Sequence, residues 1–499
     1  MMSSPTNRSW NLPPIQKGLM ITALMAGAFM GIINETLLAT ALPTIMNVFN
    51  LEENTVQWLT TVFLLTNGIM IPISAFLIER FSTRGLFLSA IGLFGAGTLV
   101  AAIAPSFPVL VLARVIQASG SGIMLPLLMT VLLAVIPVER RGTAMGMAGI
   151  VISFAPAIGP TLSGWLLAHF EWRALFFTVL PLVAVTMILA FLYMKNVTQL
   201  TKPKIDVISI ILSSFGFGGI LYGFSIAAES GWGSLSVVTS ITGGMVILFF
   251  FIRRQLQLKA PMLEFRVFQY PVFTLSMLIT MAVLISLIGA ETLLPLYMQT
   301  VMDFTPLESG LMLLPGAIVI GIMSPITGHL FDKFGARWLA ISGLLIVTIT
   351  TYLFTNLTLE TSFTYMTTIY AIRMFGLSFA MMPVVTSALN QLPETLYSHG
   401  SAMMNTMQQV SASIGTAILV TFVSVGASRF SPDSSIEGMP QEEAQTQMMQ
   451  LAQLNGYQWA FMGSTILALI AFLLSLFLRS KEQEKLGKAA EEKEAEAGI

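Results

Sequence analysis

Fourteen apolar segments, each long enough to cross a bilayer, take up most of this chain. They run at roughly 18–42, 55–78, 86–104, 107–136, 143–168, 173–194, 206–228, 235–252, 271–299, 307–330, 337–355, 362–390, 401–427 and 458–478. About twenty apolar residues span the hydrocarbon core as a helix, and a helix satisfies its own backbone groups there. The expected fold class is therefore an all-α integral membrane protein with fourteen transmembrane helices. Charge agrees, since only 10% of the 499 residues are charged, against about a quarter in soluble proteins. The first segment is too long for a cleavable secretion signal and has no small-residue cleavage site beside it, so it is expected to stay as a span.

An even number of spans puts both termini on one side, and positive charge says which. Of the 24 Lys and Arg residues, 20 fall in loops and tails on the side of the termini, while only Arg173 and Arg429 fall in loops on the other. Arg114 and Arg373 lie inside spans. By the positive-inside rule both ends are cytoplasmic. Two loops are long, the inner stretch 253–270 and the outer stretch 428–458. Proline and acids near its start and Asn455-Gly456 at its end predict a short helix over 439–454, outside the membrane. It reads as a solvated connector or a lid over the outer opening. The tail 481–499 alternates Lys and Glu and reads as a frayed helix or a disordered segment.

Two acids sit deep inside spans. Glu35, in Glu35-Thr36-Leu-Leu38, has a counterpart 256 positions later in Glu291-Thr-Leu-Leu294. A charge at that depth costs several kcal/mol or more and normally faces the bundle interior. The repeat extends further, because Glu79-Arg80 is answered by Asp332-Lys333 at an offset of 253, and Arg114 by Arg373 at 259. The halves are then two six-helix bundles, 18–195 and 270–480, with an inserted helix pair at 206–254 between them and charged tails at 1–17 and 481–499. Related halves around a central cavity are a carrier's architecture. Arg114 and Arg373 should each face the interior beside an acid or backbone carbonyls.

Several chemistries are excluded. Without cysteine there are no disulfides, zinc–thiolate sites or thiol nucleophiles. His169, His329 and His399 share no ligand spacing and each ends an apolar segment, so they read as ordinary interfacial residues and no metal is expected. The net charge of −1 argues against nucleic acid. No nucleophile–base pair or phosphate-cradling loop is visible, so a membrane enzyme is disfavoured and no cofactor is expected. Small residues Ala155, Gly159, Ser163 and Gly164 make one stripe of a closely packed span, which Pro156 and Pro160 are expected to bend or loosen.

With the sequence Gly149-Ile-Val-Ile-Ser-Phe-Ala155-Pro-Ala-Ile-Gly159-Pro160-Thr-Leu-Ser163-Gly164, that span resembles the antiporter signature of the major facilitator superfamily. Ala155 and Ser163 stand where two glycines are usual. Arg114-Val-Ile-Gln117-Ala118-Ser-Gly120-Ser-Gly122 is similar to the superfamily's fourth-helix motif. Gly328-His-Leu-Phe-Asp332-Lys333-Phe-Gly335-Ala-Arg337 resembles its loop motif, of which Glu79-Arg80-Phe-Ser82-Thr83-Arg84 is a degraded first-half copy. Trp172-Arg173 and Pro181 fit as well. With fourteen spans, the resemblance is to the drug:proton antiporter family. One departure stands out: Asn34 holds the place of the family's first-helix aspartate, and Glu35 lies about 100° further round the helix.

The resemblance implies a monomeric carrier in a bacterial cytoplasmic membrane, exchanging protons for amphipathic, often cationic drugs by alternating access. Glu35, Glu291 and Arg114 are the proton-coupling candidates. A carboxyl group in apolar surroundings favours its neutral form, so a cationic cargo and a proton would compete for it. A hydrogen-bonded structural acid is the plainer role for both glutamates. Asn34, Gln117 and Arg373 are the substrate-cavity candidates. Glu79, Arg80, Arg84, Gly328, Asp332, Lys333, Gly335 and Arg337 are the inner-gate candidates. A carrier or flippase of a cell-envelope lipid or metabolite is the alternative reading, and import is disfavoured only by the fifth-span signature, since fold does not set direction.

Overall fold

The computed structural model describes residues 13–198, 200, 201, 203–430 and 441–479. Among them fourteen helices are long and apolar enough to cross a membrane, as expected. The first half contains α1 (Pro14–Ala39), the short α2 (Leu42–Phe49) and α3 (Glu53–Val56), α4 (Trp58–Arg80), α5 (Thr83–Ala102), α6 (Phe107–Val135), α7 (Arg141–His169) and α8 (Ala174–Tyr193). The inserted pair is α9 (Val207–Ser230) and α10 (Leu235–Gln257). The second half contains α11 (Pro271–Thr300), α12 (Pro306–Phe334), α13 (Ala336–Leu353), α14 (Phe363–Asn390), α15 (Tyr397–Ser428) and α16 (Gln441–Ser475).

Local sequence sets the helix ends. Ser82, Asp206, Ser234 and Ser362 each accept a backbone N–H of the following first turn. Thr305 and Glu308 form a reciprocal capping box at the start of α12. Gly335 separates α12 from α13 at φ 79°, a backbone conformation that side chains disfavour. The repeat reaches the breaks too: Pro72 inside α4 and Pro325 inside α12 are 253 positions apart.

One expectation is corrected. The outer stretch has no separate helix ending at Asn455-Gly456, because α16 runs unbroken from Gln441 to Ser475. At 35 residues and about 1.5 Å per residue it is about 52 Å long, so its first turns project beyond a hydrocarbon core of about 30 Å. Asn455 and Gly456 are packing residues here. The Asn455 amide donates to the Gly426 carbonyl at 2.8 Å, and Gly456 lies against the backbone of Val423. Residues 431–440 and the tail 481–499 lie outside the described residues.

Packing divides the chain into two units. Of the described residues, one gathers those up to Ala144, Ile150–Val267 and Leu392–Val410; the other gathers Met145–Gly149, Phe268–Gln391 and those from Ser411 on. In the first, α6 packs on α1, α4 and α5, and α9 packs on α10 and α4. Bare backbone allows this closeness, since Gly97 and Gly120 leave no room for a Cβ between α5 and α6. In the second, α14 packs on α11, α12 and α13, with Gly343 and Gly376 face to face.

Candidate functional site

Each unit holds one fully buried arginine beside one half-buried glutamate. In the first, Arg114 on α6 donates through Nη1 to the side-chain oxygens of Asn34 and Gln117 and through Nε to the Leu59 carbonyl at 3.3 Å. The Phe63 ring lies 4.0 Å from the guanidinium carbon, so cation–π attraction replaces a counter-ion on that face. Gln117 passes its amide on to Thr98 at 2.8 Å. Glu35 makes no ion pair within 4.0 Å among the described residues, and Arg114 is the charged group acting on it electrostatically.

The second unit rebuilds this cluster with other side chains. Arg373 on α14 donates through Nε to the Thr351 hydroxyl at 3.1 Å and through Nη2 to the Ser286 carbonyl at 2.9 Å. Thr351 stands 253 positions after Thr98, and Gly376 stands 259 after Gln117. With glycine in the glutamine's place, the guanidinium reaches the threonine directly. Gly316 stands 253 after Phe63, and Tyr370 packs against it instead. Glu291 is again half-buried, with Arg373 as its electrostatic neighbour. Each arginine keeps one buried nitrogen without a hydrogen-bond partner, Nη2 of Arg114 and Nη1 of Arg373.

Of the cavity candidates, Asn34, Gln117 and Arg373 are buried, all three in arginine networks. The one-residue shift in α1 explains this division of labour. Asn34 faces Arg114, and Glu35, on the adjacent face, keeps partial exposure.

The fifth-span stripe packs on α1 beside the acid. Gly159 lies against Thr36 so closely that a Cβ there would collide with its side chain. One turn on, the Thr40 hydroxyl donates to Ser163 at 2.5 Å. Ala155 is fully buried; α7 stays helical through Pro156 and Pro160. Gly149 lies against Met382 and Ser324, and Gly164 has open space beside it.

Near the C-terminal end of α4, Glu79 accepts from the Ser398 hydroxyl at 3.1 Å and the Thr201 hydroxyl at 3.2 Å, and lies 2.8 Å from Nε2 of His399. Glu79, Thr201 and Ser398 border a cavity of about 100 Å³ with Thr130, Thr198 and Tyr397. Arg80 donates to the Pro203 carbonyl at 2.5 Å and Arg84 to the Phe191 carbonyl at 2.7 Å. Gly328 lies close to Gly146, and Arg337 sits over Trp338. Asp332 and Lys333 are both engaged. His399 corrects an expectation: it is buried and paired, not an interfacial histidine. No spacing links positions 79 and 399, so only the fold brings them together. His169 and His329 are exposed, and no group of metal ligands forms among the described residues.

Fourteen apolar helices, two of them with a buried arginine beside an acid, define a multi-pass membrane protein of carrier type. The family model of the Major Facilitator Superfamily matches residues 24–416. The MFS-type transporter YcnB of Bacillus subtilis is 50% identical over 96% of this chain and 98% of its own. The lincomycin resistance protein LmrB of the same organism is 42% identical over 92% of this chain and 95% of its own. The multidrug export protein EmrB of Haemophilus influenzae is 28% identical over 84% and 83%. The crystal structure of the human organic anion transporter MFSD10 shares the fold, with a TM-score of 0.66 at 13% identity over 93% of this chain and all of that one. The chain belongs to the major facilitator superfamily, and is a transporter rather than an enzyme.

Proposed function

We propose that this protein exports small amphipathic, often cationic compounds from a bacterial cytoplasm in exchange for protons, working as a monomer with both termini inside. Bundles 18–195 and 270–480 carry the alternation, and the pair 206–254 is an addition to them. The observation that carries the reading is the duplicated cluster, a half-buried glutamate beside a fully buried arginine in each half. Relatives named for lincomycin resistance and multidrug export support the cargo class.

Glu35 and Glu291 are the groups that exchange protons against cargo. Arg114 and Arg373 are fixed cations that favour each carboxylate once its proton leaves. Asn34 and Gln117 hold Arg114 in place. Gly149, Ala155, Gly159, Pro160 and Ser163 let α7 lie close to its neighbours, α1 among them, and Gly164 closes the stripe without a close neighbour of its own. Glu79, Arg80 and Arg84, with Gly328, Asp332, Lys333, Gly335 and Arg337 in the second half, form the inner gate.

The test is accumulation of a cationic dye such as ethidium in cells carrying Glu35→Gln or Glu291→Gln. Loss of proton-driven efflux in either is expected. Efflux at the parent level in both would overturn the coupling assignment.

A further inference from the structure

Helices α9 and α10 lie outside the repeat, and neither arginine cluster uses them. A run of hydrogen bonds nevertheless leads from this pair to Glu79. Arg254 forks onto Asp206 with bonds of 2.9 and 3.0 Å. Asp206 accepts from the Ser209 hydroxyl at 2.6 Å, and Ser209 accepts from Nε2 of Gln255 at 2.6 Å. The Gln255 carbonyl oxygen then takes the backbone N–H groups of Met262 at 2.7 Å and Leu263 at 3.3 Å. That pins the turn after α10, so that the next amide, of Glu264, donates to Nδ1 of His399 at 3.3 Å. The Glu264 carboxylate is held in turn by the backbone and side chain of Arg266.

The chemistry of the ring gives this run a direction. An imidazole that accepts at Nδ1 carries its hydrogen at Nε2, and Nε2 is the atom facing Glu79 at 2.8 Å. Ser209, Gln255, Met262, Leu263, Glu264 and His399 are all buried, where a polar group left unpaired costs far more than at the surface. The run therefore holds as a unit.

We infer that the inserted helix pair tethers the inner gate: Gln255 and the Glu264 amide are positioning groups that set the tautomer of His399, and through it the hold of Glu79 on the first turn of α15. The inference rests on Glu79 being part of that gate.

The absence of cysteine permits a direct reading. Thr130 is buried and lines the cavity beside Glu79, so Thr130→Cys reports its opening through the rate of maleimide labelling in inside-out vesicles. Losing one net hydrogen bond corresponds to about a fivefold change in an opening equilibrium. Gln255→Leu is expected to raise the rate by about that factor, and Ser209→Ala to raise it less, in the same sense. On a glutamine at 399 whose amide nitrogen takes the Nε2 position and donates to Glu79, the carbonyl oxygen is displaced from the Nδ1 position and the bond from the Glu264 amide is lost. His399→Gln should therefore match Gln255→Leu, and the double variant should be no faster than either. A merely structural role for Gln255 would add to the effect at 399.

An unchanged rate in both Gln255→Leu and Ser209→Ala, or an additive double variant, overturns the tether. Glu79→Gln separates the two readings. If it leaves the rate unchanged, the gate assignment fails; if it raises the rate while Gln255→Leu does not, the tether alone fails.

Discussion

Gly159→Ala is the substitution that tests whether the fifth-span signature serves the acid in α1. A Cβ at 159 would collide with the Thr36 hydroxyl, lie 2.7 Å from its Cβ and sit 3.3 Å from its backbone carbonyl carbon. Ordinary contacts between such atoms are about 3.5–4.0 Å, so α1 must retreat from α7 by about 1 Å at the residue next to Glu35. Overpacking of this kind costs about 1–3 kcal/mol. A shift of that size is also enough to misplace a reacting group. Purified protein should lose thermal stability by the equivalent amount, and efflux should fall by about fivefold or more, since 1.4 kcal/mol is a factor of ten. Adding Thr36→Ala removes the nearest atom and should recover part of both. Parent-level melting and efflux in Gly159→Ala would refute the close approach and the role drawn from it.

Other outcomes follow from the same geometry. Thr351→Val takes the Nε partner from Arg373, whose Nη1 already lacks one, and should cost about 1–3 kcal/mol in thermal unfolding. The exchange Asn34→Asp with Glu35→Gln puts the carboxylate directly on Arg114, where a permanent ion pair forms; dye efflux should stay at the level of Glu35→Gln alone. Burial pushes the Asp206 carboxyl up, but the Arg254 fork and Ser209 bonds outweigh it and hold the group below the usual carboxylate range. A depressed folded value means that this contribution is fully present above about pH 4, the unfolded value, and is lost as pH falls through the folded one. Melting curves between pH 3 and 7 should therefore lose part of their acid sensitivity in Asp206→Asn.

Much of the fold was legible because membrane spans obey few rules. Length and apolarity mark fourteen helices. The repeat was legible at its charged positions, Glu35 with Glu291 and Arg114 with Arg373, because charges inside spans are rare enough to align by eye. The pairing of Thr98 with Thr351 was equally available by offset, but threonine is too common in helices to be noticed without contacts. What stayed hidden depends on distance in space. His399 meets Glu79 across 320 positions, and Gln255 acts through backbone amides that no side-chain pattern records. The last helix runs past Asn455-Gly456, although Asn-Gly ordinarily stops a helix. Here its asparagine is drawn to a neighbouring carbonyl and its glycine admits a neighbouring backbone.

Proton release on cargo binding is the most direct measurement. Detergent-solubilised protein in weak buffer, mixed with a cationic substrate such as ethidium, should release protons near neutral pH. Glu35→Gln and Glu291→Gln should each release fewer, and the double variant none. Release at the parent level from the double variant would contradict the account at its centre.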